Sequence, residues 1–189
     1  MNDDSRFLHD LQRRQATGEA LHYLFFWGHQ PPRSGVSASC FSQWYDQGFA
    51  LDGVHYPTAE HYMMAGKARL FGDTGILEQV LTTRTPDAVK ALGRRIEGFD
   101  EATWVQARYA LVVEGNRAKF TQNAELGAFL RDTGDAVLVE ASPVDSIWGI
   151  GLAKDHPDAH NPARWRGLNL LGFALMDVRA EMQQSSMTR

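Results

Sequence analysis

The residues of this chain best able to do chemistry cluster in the segment 58–68, Thr-Ala-Glu-His-Tyr-Met-Met-Ala-Gly-Lys-Ala. Glu60 and Lys67 stand seven positions apart. At ~100° per residue they face nearly the same direction on a helix, about 10 Å apart along its axis. A carboxylate and an amine on one wall can serve as acid or base and as cation or nucleophile. A helix dipole favours the same pair, an acid in the first turn and a base in the last, so spacing alone leaves both readings open.

A second set lies in the segment 140–151, Glu-Ala-Ser-Pro-Val-Asp-Ser-Ile-Trp-Gly-Ile-Gly. Here an expected strand passes into an acidic, aromatic, glycine-rich loop, a common seat for catalytic groups. Asp145 followed by Trp148 suits a site in which an indole grips a base or sugar face beside a working carboxylate. Trp148 plugging the core while Asp145 caps a turn fits the same residues. Trp104 and Arg108 share a helix face: the indole can stack on a ring and the guanidinium can meet a phosphate, or the two can simply pack together. Phe26, Trp27, Gly28 and His29 either wall a pocket or end a strand. Arg94 and Arg95 follow Gly93, placed for a phosphate but also ordinary helix-end cations.

The elements that must position these groups follow from periodicity and punctuation. Residues 5–20 predict a weakly amphipathic leading helix, 21–27 a strand, and 41–45 and 49–56 short strands, the latter turned at Asp52-Gly53. Thr58 is an N-cap for a helix to about residue 70, and Thr85-Pro86 opens a compact helix closed by Gly93 as a C′ glycine. Asp100 caps a long helix over 101–120, and another spans 123–132. A strand at 136–141, a loop over 142–166 and a helix over 168–182 complete the chain. The expected fold is a single compact α+β domain, mostly helical with a few short strands. Residues 1–20 form a helical extension, 21–182 the domain, and 183–189 a polar tail.

Composition narrows the function. With 189 residues, 43% hydrophobic and 22% charged, the chain can bury a full core without staples. A net charge of −4 argues against dependence on nonspecific phosphate attraction. One cysteine, Cys40, an acidic polar start and no long apolar run point to the cytoplasm, with no membrane partner. The Asp155-to-His160 segment has metal-ligand residue types without a metal-site spacing, and no nucleotide or serine-hydrolase motif is present.

In this order the pieces resemble the NADAR superfamily, in its YbiA-like N-glycosidase group. The resemblance is carried by Phe26-Trp27-Gly28-His29, by residues 41–45, and by Tyr56-Pro-Thr-Ala-Glu60-His with Lys67 seven positions on. It continues through Leu92-Gly93-Arg94, Trp104 and Arg108, Ala118-Lys119-Phe120, Leu138-Val-Glu140-Ala-Ser and Asp145 with Trp148-Gly-Ile-Gly151. Asn169-Leu-Leu-Gly172 and Arg179 extend it, so that it covers about residues 23–182. Where the family commonly has Ser-Asn-Phe, this chain has Ser42-Gln43-Trp44.

The resemblance implies a metal-free and cofactor-free enzyme that hydrolyses an N-glycosidic bond at a ribose C1. The implied substrates are ribosylamino-pyrimidine phosphates, early intermediates of riboflavin biosynthesis. It implies Glu60, Lys67, Trp104 and Asp145 as catalytic groups, with Lys67 acting either electrostatically or as a Schiff-base amine. Phe26, Trp27, Gly28, Trp44, Arg94, Arg108 and Trp148 are the expected substrate contacts. Other members of the superfamily remove ADP-ribose from modified guanine, the one reading that brings in nucleic acid. A non-catalytic ADP-ribose-binding module is the third reading, and it has no need of paired carboxylates.

Overall fold

The structure, a computed structural model, describes residues 4–187. Helix α1 (Arg6–Ala16) leads into strand β1 (Tyr23–Phe26), which pairs in parallel with β4 (Val137–Glu140). Strands β2 (Phe49–Leu51) and β3 (Val54–Tyr56) form a separate antiparallel hairpin. Its turn residues Asp52 and Gly53 both have positive φ, 51° and 77°, the backbone a tight two-residue hairpin requires. Between the hairpin and β4 run α2 (Ala59–Leu70), α3 (Thr74–Thr82), α4 (Pro86–Gly93), α5 (Glu101–Gln122) and α6 (Ala124–Asp132), and α7 (Leu170–Met187) closes the chain.

Helix α2 is the axle of the fold. It is buried on nearly every side between α3, α4 and α5, although it carries Glu60 and His61 among its buried residues. Glycines let its neighbours approach: Gly115 of α5 faces the Tyr62 ring and Gly93 of α4 faces Met64. A Cβ at Gly93 would lie 2.0 Å from the Met64 sulfur. Gly93 is therefore the last residue of α4 and a close-packing position, where its expected role was the C′ turn. On the far side, α7 packs on β4 and α5, so the parallel pair and α2 enclose α5 and α7 in one core.

Three elements differ from expectation. Residues 41–45 are no strand. A 3₁₀ turn over Ala38–Phe41 stands there because fully buried Lys119 draws the Cys40 and Ser42 carbonyls to its Nζ, at 2.6 and 2.9 Å. Helix α3 is an addition, started by Asp73, whose carboxylate accepts the Ile76 amide at 2.9 Å. Helix α7 runs past Met182 to Met187, since no glycine or proline follows Met182 and Arg117 pairs twice with Glu181 at 2.6 and 2.9 Å. The expected tail thus begins as helix, and positions 188–189 lie outside the described residues, as do 1–3 of the leading extension. Among the described residues, no helix is long and apolar enough to cross a membrane.

Candidate active site

Because β1 and β4 run in parallel, the chain leaves both at the same edge of the pair. From β1 emerge Trp27, Gly28 and His29; from β4 emerge Glu140 and the loop that carries Asp145. Phe26 and Glu140 are register partners. The N-terminal turn of α2 is brought to this group, its Glu60 amide donating to the Gln43 carbonyl at 2.9 Å. The next residue, Trp44, brings its indole beside the Glu60 carboxylate, whose charged form it favours. Its ring also meets His29, centroids 5.6 Å apart, and the Lys90 ammonium of α4 at 5.8 Å.

The centre of this edge is therefore three carboxylates, Glu60, Glu140 and Asp145, with one cation, Lys90, in electrostatic reach. Glu60 is only 2% exposed. Burial pushes its carboxyl up to about 7, Asp145 adding to the rise while Lys90 and the Trp44 indole oppose it. Glu140 is pushed up to about 8, by burial first and then by Asp145. One oxygen of each, Glu60 Oε1 and Glu140 Oε2, is buried and meets no hydrogen-bond partner. An unpartnered buried carboxylate oxygen costs about 1–3 kcal/mol or more, so the two make this edge a candidate site. Lys90→Met is expected to move the acid limb of the pH–activity profile up by about one unit, because the counter-charge that favours ionised Glu60 is gone. An unchanged limb in a kcat/KM titration would contradict that coupling.

The backbone holds these groups in place. Asp145 Oδ1 accepts the amides of Ile147 and Trp148 at 2.9 and 2.8 Å, while the Glu140 carbonyl accepts the Ile150 amide at 3.0 Å. Fully buried Asn169 clamps the end of β4. Its Oδ1 accepts the Glu140 amide at 3.0 Å and its Nδ2 donates to the Leu138 carbonyl at 2.9 Å. Its φ of 56° is a left-handed conformation that asparagine tolerates best among non-glycine residues. Asn169→Ala should cost about 2–4 kcal/mol, read as a fall in unfolding midpoint, since it strands two buried backbone groups.

A second cluster lies further along α2. Lys67 Nζ donates to the Gly93 carbonyl at 2.9 Å and sits 4.3 Å from the Phe99 ring and 5.4 Å from the Trp104 ring. Burial lowers its pKa, and Glu101 partly restores it. Two residues on one helix thus serve two clusters, Glu60 among carboxylates and Lys67 among rings, about 10 Å apart along the axis. Among the described residues, no group of His, Cys, Asp and Glu is disposed to hold a metal ion.

A model of the NADAR domain family matches residues 25–183. This chain belongs to the NADAR family. Among its relatives, N-glycosidase R617 of Acanthamoeba polyphaga mimivirus is 42% identical over 171 residues, covering 88% of this chain and 99% of the relative. N-glycosidase YbiA of Escherichia coli K12 is 32% identical over 132 residues, 70% of this chain and 74% of the relative. The solution NMR structure of E. coli YbiA superposes with a TM-score of 0.72 at 27% identity, covering 89% of each chain. The α+β fold is the one these relatives share, and the chain is with them an enzyme, a glycosyl hydrolase of the N-glycosidase type.

The expected site residues divide accordingly. Glu60, Asp145 and Trp44 meet at the strand edge, and Lys67 meets Trp104 in the ring cluster. Trp148 is half-buried against the core, with its amide on Asp145. Trp27 is 63% exposed at the rim, next to Gly28 with φ 80°. Phe26 is a core residue, edge-on to Phe41 with centroids 5.4 Å apart. Arg94 caps the end of α4, exposed. Arg108 departs from expectation: it is buried, and its Nε and Nη2 hold Asp4 at 2.9 and 2.8 Å, so its guanidinium staples the N-terminal segment to α5. Glu140 and Asn169, which the sequence motifs contain without a role, and Lys90, which they do not contain, join the site because their spacing to Glu60 exists only after folding.

Proposed function

We propose that this N-glycosidase hydrolyses the bond between a ribose C1 and the nitrogen of a base or amine in ribosylamino-pyrimidine phosphates, the early intermediates of riboflavin biosynthesis. The observation that carries the reading is Glu60, a nearly fully buried carboxylate with an unpartnered oxygen. Breaking the C–N bond builds positive charge at C1 and negative charge on the departing nitrogen. Glu60 accepts the proton of the attacking water, and the carboxylate of Asp145 beside it stabilises the developing positive charge at C1. Trp44 and Trp148 supply faces for base or sugar. Lys67, about two helical turns away, meets the phosphate as a cation. Burial lowers its pKa, which supports the alternative role for this amine, as a nucleophile in place of a phosphate cation. The neutral nitrogen attacks C1 of the opened sugar imine, expels the base as an amine, and is released from the resulting Schiff base by water.

The net charge of −4 favours a small substrate over a polyanion. Exposed Trp27 at the rim supports the other reading, removal of ADP-ribose from guanine in nucleic acid, since a free indole is a stacking platform for a base. Buried unpartnered carboxylates argue against a mere binding module, which has no use for their cost. A cytoplasmic setting suits the small-substrate reading. Mass-resolved chromatography of the purified protein with a ribosylamino-pyrimidine phosphate and with ADP-ribosylated guanosine separates the cases. Base and ribose phosphate from the first alone are expected. Turnover of the second alone would move the enzyme to nucleic-acid repair, and binding without turnover of either would make it a reader of ADP-ribose.

A further inference from the structure

Three carboxylates stand in one site, and hydrolysis of a C–N bond needs both a base for the water and an acid for the leaving nitrogen. Their surroundings distinguish them. Asp145 is occupied as an acceptor, its Oδ1 taking two backbone amides. Glu60, on α2, has the Lys90 ammonium of α4 as its foremost charged neighbour and the Trp44 indole beside it, both favouring a carboxylate, with Asp145 a lesser and opposing neighbour. Glu140, at the end of β4, has the Asp145 carboxylate as its foremost charged neighbour, then Lys90, then Glu60. Its Oε2 is buried and unpartnered, and its backbone is fixed by Asn169. An anion beside a buried carboxyl favours the acid, and a cation beside one favours the carboxylate.

We propose that Glu140 is the general acid of this site and Glu60 its general base. The assignment rests on the N-glycosidase reading above. In the step, the C1–N bond breaks with its electron pair passing to nitrogen, which takes the proton from the Glu140 carboxyl. Water forms the new C1–O bond and gives its proton to Glu60. Return of that proton from Glu60 to Glu140 restores the starting state, so the cycle consumes only water. Burial raises both carboxyls, and their differing charged neighbours are what divide the roles. The free enzyme then shows a bell in kcat/KM whose two limbs belong to the coupled pair and both lie above the ordinary carboxylate range.

The test compares the wild type, Glu140→Gln and Glu60→Gln on two 5-phosphoribosyl substrates. One carries an aminopyrimidine, whose nitrogen must be protonated to leave; the other carries p-nitrophenol, which departs as an anion unaided. Glu140→Gln is expected to lower kcat on the first by about 10²–10⁴-fold and to abolish the alkaline limb, with less than about tenfold loss on the second. Glu60→Gln should lose both. Glu140→Asp, which keeps a proton to give, should keep the alkaline limb and serves if the glutamine variant does not fold. Equal losses on both substrates in Glu140→Gln, or none, would overturn the assignment while leaving the glycosidase reading intact. A wild type that cleaves neither would remove the reading and the assignment together.

Discussion

Glu60→Gln is expected to abolish nearly all turnover, a loss of about 10²–10⁴-fold in kcat, while making the protein harder to unfold at pH 8. The two effects share one cause. Burial holds the Glu60 carboxyl near 7 in the folded chain, against 4.5 as its ordinary value. A carboxyl whose folded pKa is raised keeps its proton longer in the native state, so the native state loses stability as pH rises from the unfolded value through the folded one. At ~1.4 kcal/mol per unit, the penalty at pH 8 is of order 3 kcal/mol, and the neutral amide does not pay it. Unfolding curves of both proteins at pH 4.5 and pH 8 check this. The gain should appear at pH 8 and shrink to about 0.4 kcal/mol at pH 4.5, where the native carboxyl is protonated and the unfolded one is half ionised. A variant less stable than wild type at pH 8 would show that Glu60 is held by contacts that favour its charge.

Lys67→Ala is the second large effect, with an expected loss of about 10²–10³-fold in kcat/KM, since it removes either a phosphate cation or a nucleophile. The two roles part at Lys67→Arg and at borohydride. Arginine keeps the charge between Phe99 and Trp104 and can meet a phosphate, yet it forms no Schiff base. Partial activity in Lys67→Arg, with no trapped adduct on the wild type, assigns the electrostatic role. A dead arginine variant, together with a reduced sugar adduct located at Lys67 by peptide mass, assigns the covalent one. Wild-type activity in Lys67→Ala would exclude both. The ring cluster also makes a local prediction possible from its geometry, because Nζ gives a hydrogen bond to the Gly93 carbonyl and withdrawing it loosens the end of α4 that carries Lys90.

Local patterns carried much of the fold. The Thr58 and Asp100 caps open helices where they stand, and the Asp52-Gly53 turn closes its hairpin. The strand expected at 41–45 failed because the Ser42 carbonyl, with that of Cys40 just before it, is drawn to Lys119, 77 and 79 residues away in the chain, a partner no local pattern reveals. Gly93 misled in the same way, its reason for being glycine lying across the interface at Met64. In the site, Glu60 and Asp145 stand out as acids within aromatic, glycine-flanked motifs. Glu140 ends an alternating strand and Lys90 lies inside a short helix, so neither differs locally from a solvated residue. What makes them functional is the meeting of β4, α4 and α2 at one edge. Arg108 shows the converse, a phosphate-like position on its helix that folding gives to Asp4.

The most direct measurement is a carbon-13 NMR titration of the glutamate carboxyls in the protein without substrate, with Glu60→Gln and Glu140→Gln supplying the assignments. Two resonances should stay protonated through the ordinary carboxylate range and titrate as a coupled pair near 7 and 8, one of them missing in each variant. Titration of both near 4.5 would mean that the carboxylates are solvated and freely ionised, and neither could then hold the proton that the proposed chemistry requires.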